Sequence, residues 1–341
     1  MKITMAHGSG GNASRELMSS IFGKYFKNDV LDKLEDAAVL DVSGRIAMST
    51  DSFVVTPLVF KGGNIGKLCV CGTVNDVLMM GAEPKYLTCG FIMEEGLDVD
   101  VLEQVVSSMA AQAEAAGVKI VAGDTKVVEG SGGLMINTTG IGIIPEDRDV
   151  SAANCSPGDK IIVSGTLGDH HACILSARMG IENDIHSDCG CLKDITDALF
   201  DEGIEVHTMR DVTRGGMGTI LNEIAESSGT MIELEEQAIP ISEEVKGFSG
   251  MLGLDPLYMA NEGKMIAIVP GEQADKALEL MRGTEHGAGA AVIGEVKALA
   301  GENDADSQAS SETKPVVHIK TPLGATRVLD VLYGEGLPRI C

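Results

Sequence analysis

Residues 64–81 read NIGKLCVCGTVNDVLMMG, and the fold is read outward from this run. Its apolar length predicts a helix from Asn64 to Met80, closed by Gly81 with Pro84 beyond it. Two polar neighbours, Asn75-Asp76, interrupt the otherwise apolar pattern, which is hard to explain by packing alone. On the C-terminal side, Tyr86–Met93 reads as a strand. Leu102, Val105, Val106, Met109, Ala110 and Ala113 repeat with the spacing of an amphipathic helix. Lys119–Ala122 and Leu134–Ile144 are strands. On the N-terminal side, Gly8-Ser9-Gly10-Gly11 precedes a helix from about Ser14 to Phe26. Ala37–Leu40 and Ile46–Ser49 read as short strands joined across Ser43-Gly44, a hairpin signal, and Ser52–Val59 as a further strand.

Asn154–Gly158, with Pro157-Gly158 as punctuation, marks a boundary. Beyond it, strands are expected at 161–163, 206–209, 232–234, 265–269, 291–296 and 316–320. Helices are expected at 170–178, 194–201, 217–225 (after the Arg214-Gly215-Gly216 turn) and 274–281. Residues 301–313 are acidic, Ser-rich and poor in apolar residues, and are expected to form a mobile loop. Strands often follow one another without a helix between them, which favours mixed or antiparallel sheets over a Rossmann arrangement. The expected class is therefore α+β, with two α/β domains at 1–153 and 154–322 and a mobile tail at 323–341 that ends in Cys341. Neither G-x-x-x-x-G-K-[ST] nor G-x-G-x-x-G after a strand occurs, which argues against a Walker or a dinucleotide site.

The length, 341 residues, suits two domains of roughly 150 residues each. The formal charge of −25 argues against nucleic acid or an anionic membrane as partner, so an anionic ligand would need backbone amides, helix N-termini or a metal ion. Aromatic residues make up only 3% and tryptophan is absent, which also disfavours base-stacking platforms. No apolar stretch has transmembrane length and the N-terminus lacks a signal-peptide core, so a cytoplasmic protein is expected. The eight cysteines are then expected as free thiols, and the C-x-C pairs Cys69/Cys71 and Cys189/Cys191 lack zinc-site spacing.

Asp36, Asp51, Asp76 and Asp124 recur beside elements of the first half, often with Gly or Thr next to them. Such carboxylates suit Mg²⁺, a hard cation that takes oxygen ligands and bridges phosphates, although taken singly most aspartates are solvated or cap turns. Gly8-Ser9-Gly10-Gly11 ahead of a helix could wrap phosphates with backbone amides, or be merely flexible. Lys126, just after Asp124-Thr125, could neutralise a γ-phosphate. Glu262 precedes a buried-looking strand and could project into an interdomain cleft, or be an ordinary loop residue. Cys341 is a thiol on a terminal lever, with Pro338 and Arg339 beside it.

Together these residues resemble the HypE family of hydrogenase maturation factors, within the superfamily of aminoimidazole ribonucleotide synthetase, selenophosphate synthetase and thiamine monophosphate kinase. The matching blocks begin with His7–Gly11, Glu35–Val39, Thr50–Val55, Asn75–Ala82 and Gly123–Val128. They continue with Arg210–Gly216, Asn261–Lys264 and the terminal Pro338-Arg339-Ile340-Cys341. The last two are the family-specific ones. Val212 departs from the family's proline, and His171 in Gly168-Asp169-His170-His171 from its glycine.

The resemblance implies an aminoimidazole ribonucleotide synthetase-like fold and a homodimer whose N-terminal domains form a β-barrel, with nucleotide near that interface. It implies ATP and Mg²⁺, with Asp36, Asp51, Asp76 and Asp124 on the metal and Gly8, Ser9, Gly10, Gly11, Asn75 and Thr125 on the nucleotide. It implies that Cys341 receives a carbamoyl group from the carbamoyltransferase HypF and that ATP-driven dehydration converts it to a thiocyanate. The cyano group then passes to iron on the HypC–HypD complex, for [NiFe]-hydrogenase. Lys126 would offset phosphoryl charge and Glu262 would be the base. Two other readings compete. Selenophosphate synthetase carries its reactive residue near the N-terminus, whereas no cysteine precedes Cys69 here. A non-catalytic carrier would simply hand over cargo from Cys341.

Overall fold

The computed structural model describes residues 1–8, 12–33, 37–299 and 314–331. Ser9, Gly10, Gly11, Asp36, the whole 301–313 loop and residues 332–341 with Cys341 therefore lie outside the described residues. The first half opens with α1 (Asn12–Leu17), a π-helical turn (Met18–Phe22) and α2 (Gly23–Tyr25). Then come β1 (Arg45–Phe53), β2 (Val59–Phe60), β3 (Gly63–Asn64), α3 (Ile65–Met79), β4 (Glu83–Glu94), α4 (Val99–Ala116), β5 (Lys119–Val128) and β6 (Leu134–Ile144). Four of these strands form an open mixed sheet in the order β1-β6-β4-β5, parallel only between β4 and β5.

The 64–81 run forms the helix expected of it. Asn64 Oδ1 accepts from the backbone N–H groups of Gly66 and Lys67 at 2.9 and 3.0 Å, which caps α3. Nearly every residue of α3 is buried, because the helix packs on the sheet, on α4 and on the second half at once. Glycine permits the closest approach: a Cβ on Gly66 would sit 2.2 Å from the carbonyl oxygen of Val105 in α4.

Strand parity divides the first sheet into two faces. Ala47, Ser49, Asp51 and Phe53 of β1 point toward α3, while Ile46, Met48, Thr50 and Ser52 point away. The away face is uncovered in the single chain, with Met48 70% exposed and Ile46 and Ile92 also open.

The second half comprises β7 (Lys160–Val163), α5 (Asp169–Met179), α6 (Lys193–Asp201), β8 (Thr208–Asp211), α7 (Gly216–Ser228) and β9 (Met231–Glu235). It continues with α8 (Glu243–Leu252), β10 (Met265–Val269), α9 (Ala274–Arg282), β11 (Ala291–Lys297), β12 (Val316–Lys320) and β13 (Thr326–Val328). Its sheet runs β13-β12-β9-β11-β7-β10-β8, antiparallel except between β12 and β9. β10 is buried on both faces: Met265, Ala267 and Val269 join the core that continues into the first half, whereas Ile266 and Ile268 join the core under α7.

Four expectations change. The hairpin across Ser43-Gly44 does not form; residues 37–43 pair with no strand among the described residues, and Val39 is 80% exposed. The strand expected at 52–59 ends at Phe53. The strand expected at 119–122 runs on to Val128, because parallel pairing with β4 carries it through the polar Asp124-Thr125-Lys126. The tail expected from 323 is held to the sheet by β13, and Leu329 is fully buried. α8 was not expected, since glycine and charge obscure its period; Ser242 caps it by accepting from the N–H of Val245, and Gly253 closes it at φ 69°. Among the described residues no helix is long and apolar enough to cross a membrane.

Candidate active site

Carboxylates from both halves meet beside α3. Asp51 lies two residues from Ser49 on the inner face of β1, and Ser49 Oγ donates to Asp76 Oδ2 at 2.5 Å. Burial raises the Asp76 pKa; the hydrogen bond from Ser49 opposes the rise and the charge of Asp51 adds to it. Asp211, at the end of β8, is raised to about 7, first by burial and then by the charge of Asp76, with Arg210 pulling the other way and Asp51 adding to the rise. Burial and the neighbouring carboxylates hold the protons of Asp76 and Asp211 on.

The donor set fits magnesium, which takes oxygen ligands and keeps water and substrate phosphate in its shell. Among the described residues, however, no three His, Cys, Asp or Glu side chains are arranged to hold a metal ion. Asp211 carried no assigned role in the sequence reading. The signal was present in Arg210-Asp211-Val212-Thr213-Arg214, but nothing local says that a strand-end acid 135 residues after Asp76 returns to its side.

Glu262 stands in the same neighbourhood. Asp211 pairs with Met265 in the β8–β10 register, so Glu262, three residues earlier, lies at the same end of the sheet. It is 4% exposed, a buried acid rather than a loop-tip residue. Val212 brackets its segment: its N–H donates to Lys264 O at 2.8 Å and its carbonyl accepts from the N–H of Asn261 at 3.0 Å. The first of these bonds uses an N–H that the family's proline lacks. Asn75, fully within α3, donates from Nδ2 to Gly190 O at 3.0 Å and accepts from the N–H of Leu192 at 2.9 Å. Its amide thus faces a loop of the second half, and the polar interruption at 75–76 has a division of labour, with Asn75 on the loop and Asp76 among the acids.

Asp124 and Lys126 are not brought to this place within one chain. Asp51 pairs with Thr138, Thr138 with Cys89, and Cys89 with Gly123, so Gly123 shares the face of Asp51 and Asp124 points to the other. Three strand spacings, about 14 Å, separate the rows. Lys126 Nζ is 2.9 Å from Asp124 Oδ2, and both side chains are mostly exposed. That contact with Lys126 lowers the Asp124 pKa. Gly8 lies against the same strand, where a Cβ would come within 2.9 Å of Val127. Thr125 points inward to a small apolar cavity lined by Met18, Phe22, Phe26 and Leu31. His171 is buried, its pKa lowered by burial to about 4, and its Nε2 has no hydrogen-bond partner among the described residues.

Comparison with known proteins decides between the readings. Residues 34–144 match the N-terminal domain of AIR synthase related proteins, and residues 156–303 match the C-terminal domain. A carbamoyl dehydratase HypE of Rhodobacter capsulatus is 44% identical over 348 aligned positions, covering 100% of this chain and 98% of that protein. The chain belongs to the HypE family of carbamoyl dehydratases. A solved HypE in complex with ATP is 48% identical, covers 99% of each chain and has a TM-score of 0.92. HypE in a HypE–HypF complex is 43% identical, covering 94% of this chain and 100% of that one, with a TM-score of 0.77. The expectation of a HypE-type enzyme, rather than selenophosphate synthetase or a bare carrier, is met over the whole length.

Proposed function

We propose that this chain binds ATP and uses it to dehydrate a carbamoyl group carried on its own Cys341 to a thiocyanate, the source of a cyanide ligand for [NiFe]-hydrogenase. The carboxamide oxygen attacks the γ-phosphorus and ADP leaves. The amide gives up both N–H protons, one as the O-phosphorylated imidate forms and the second to a base as the C–O bond breaks with loss of phosphate, and S–C≡N remains. The reaction consumes ATP and releases ADP and phosphate, the oxygen of the amide leaving in the phosphate. Phosphorylation is needed because an amide oxygen is a poor leaving group.

The observation that carries this reading is that Asp76 and Asp211, from the two halves, act on one another, with the Glu262 segment at the same end of the second sheet. Asp51, Asp76 and Asp211, with Asp36, would hold magnesium, which when bound offsets charge on the transferring phosphoryl group. Asp124, Thr125, Lys126 and the Gly8–Gly11 segment serve the nucleotide. Asn75 fixes the loop beside it. Glu262 takes the N–H proton.

Asp124 and Lys126 point out through the uncovered sheet face, where Ile46, Met48 and Ile92 are exposed. That face supports a homodimer closing the two sheets into a barrel, with each nucleotide near the seam. HypF supplies the carbamoyl group, the HypC–HypD complex accepts the cyano group, and the work is cytoplasmic. The domains divide as 1–153 and 154–322, and Cys341 is the residue that carries the carbamoyl group.

The test is the intact mass of the C-terminal peptide after incubation with HypF, carbamoyl phosphate and ATP. A carbamoyl adduct on Cys341 that loses one water only with ATP is the expected result. No adduct, with HypF active on another acceptor, rejects the reading.

A further inference from the structure

Glu262 is gripped on both sides of its peptide by one short strap, Ser187–Leu192. Asp188 Oδ1 and Oδ2 each lie 3.3 Å from the N–H nitrogen of Glu262, and Oδ2 accepts from the N–H of Gly263 at 3.1 Å. The N–H of Gly190 donates to Glu262 O at 3.2 Å. The contact is backbone on backbone: a Cβ on Gly263 would sit 1.9 Å from Asp188 O. At its far end the strap is pinned to α3 by the two hydrogen bonds of Asn75, the neighbour of Asp76. At its near end Ser187 is fixed by its N–H to Lys61 O at 2.9 Å and by its Oγ against His170 Nδ1 at 2.7 Å.

The Asp188 side chain is 3% exposed, and its counter-charge is the Lys264 ammonium at 3.6 Å, itself 13% exposed. A buried ion pair is weak evidence for stability, since apolar packing of the same volume often does as well. What the pair does here is hold the peptide of a buried acid in register with the acids on α3 and β8. We propose that Asp188 is a positioning residue for Glu262, and that the 187–192 strap couples the aim of Glu262 to the acidic end of α3. This rests on the reading of Glu262 as the base. A general base must lie within hydrogen-bond reach of its proton, and a misplacement of about 1 Å can cost on the order of 10²-fold.

The experiment follows single-turnover dehydration of carbamoylated full-length protein by mass spectrometry, for wild type, Asp188→Asn, Glu262→Gln and the double variant. Asp188→Asn should form the adduct normally and keep its KM for ATP, while dehydration slows roughly 10- to 100-fold. The double variant should be no slower than Glu262→Gln, because two members of one unit do not add. Should Asp188→Asn not fold, Asp188→Glu keeps the buried charge opposite Lys264 but shifts the carboxylate, and it should show the same split between rate and KM. Wild-type dehydration in a folded Asp188 variant, with Glu262→Gln slow, overturns the positioning role and leaves the base in place. Wild-type dehydration in Glu262→Gln overturns both. A loss of melting temperature and of ATP affinity with an unchanged single-turnover rate shows Asp188 to be structural, and also overturns the proposal.

Discussion

The two acidic regions use the same residue types in opposite surroundings. At the inner end, Asp76 and Asp211 are desolvated and repel each other, so their pKa values rise, Asp211 to about 7. At the outer edge, Asp124 stands in solvent against Lys126, and its pKa falls. The contrast teaches that a carboxylate's charge in this protein is set by what it packs against, buried acids on the inside and solvent with a lysine on the outside. The inner group feels Arg210 but makes no ion pair among the described residues, whereas the outer group has one.

The largest test of this contrast is Glu262→Gln. Removing the inner base should leave carbamoylation of Cys341 intact and cut dehydration by about 10²- to 10⁴-fold, read from the mass of the terminal peptide. A normal thiocyanate yield would detach Glu262 from the chemistry. Next comes the outer face. Met48→Asp adds a charge to the uncovered sheet and should turn a dimer into a monomer by light scattering, with loss of ATP binding but little change in melting temperature. A monomeric wild type would break the comparison at its outer side. Asp124→Asn should then weaken Mg-ATP binding by calorimetry, on the order of tenfold for one lost charged contact of about 1.4 kcal/mol. Unchanged affinity would remove Asp124 from the nucleotide site.

The last test is of stability against pH, and it has a definite sign. Asp211 has its folded pKa raised to about 7, far above an unfolded aspartate near 3.9, so between those values the folded state binds more protons. Stability of the metal-free protein should therefore fall as pH rises from about 4 to about 7 and then level off, and Asp211→Asn should flatten that slope in thermal melts. An identical slope in the variant would show that Asp211 titrates like an ordinary surface acid.

Much of this was legible in the sequence. α3 is legible from its apolar run, its closing Gly81 and the Pro84 beyond it, all within one segment, whereas the capping role of Asn64 comes from the structure. α4, β6 and β10 appeared nearly at their observed limits because period and length are local properties. The strand through Asp124 was cut short because its second half is polar, and only pairing with β4 carries it on. The hairpin expected before β1 fails for the converse reason: short apolar runs flank Ser43-Gly44, but residues 37–43 find no partner strand among the described residues.

The candidate site divides along the same line. Asp51, Asp76, Asp124, Lys126 and Glu262 were all named from motif blocks, and the family followed from those blocks in order. Asp211 and Asp188 were not singled out. Asp211 gains its meaning from the packing of β8 on α3, and Asp188 from a strap that touches Glu262 only through backbone groups.

By itself, then, the sequence determined the elements, the two-part α+β plan and the family, because propensity, period and motif are carried by residues close together in the chain. The tertiary structure alone decided which acids share a field, which face Asp124 leaves from and what holds Glu262 in place. Those depend on strand register and on the burial created when two halves pack together, and both are sums over contacts between residues far apart in the sequence.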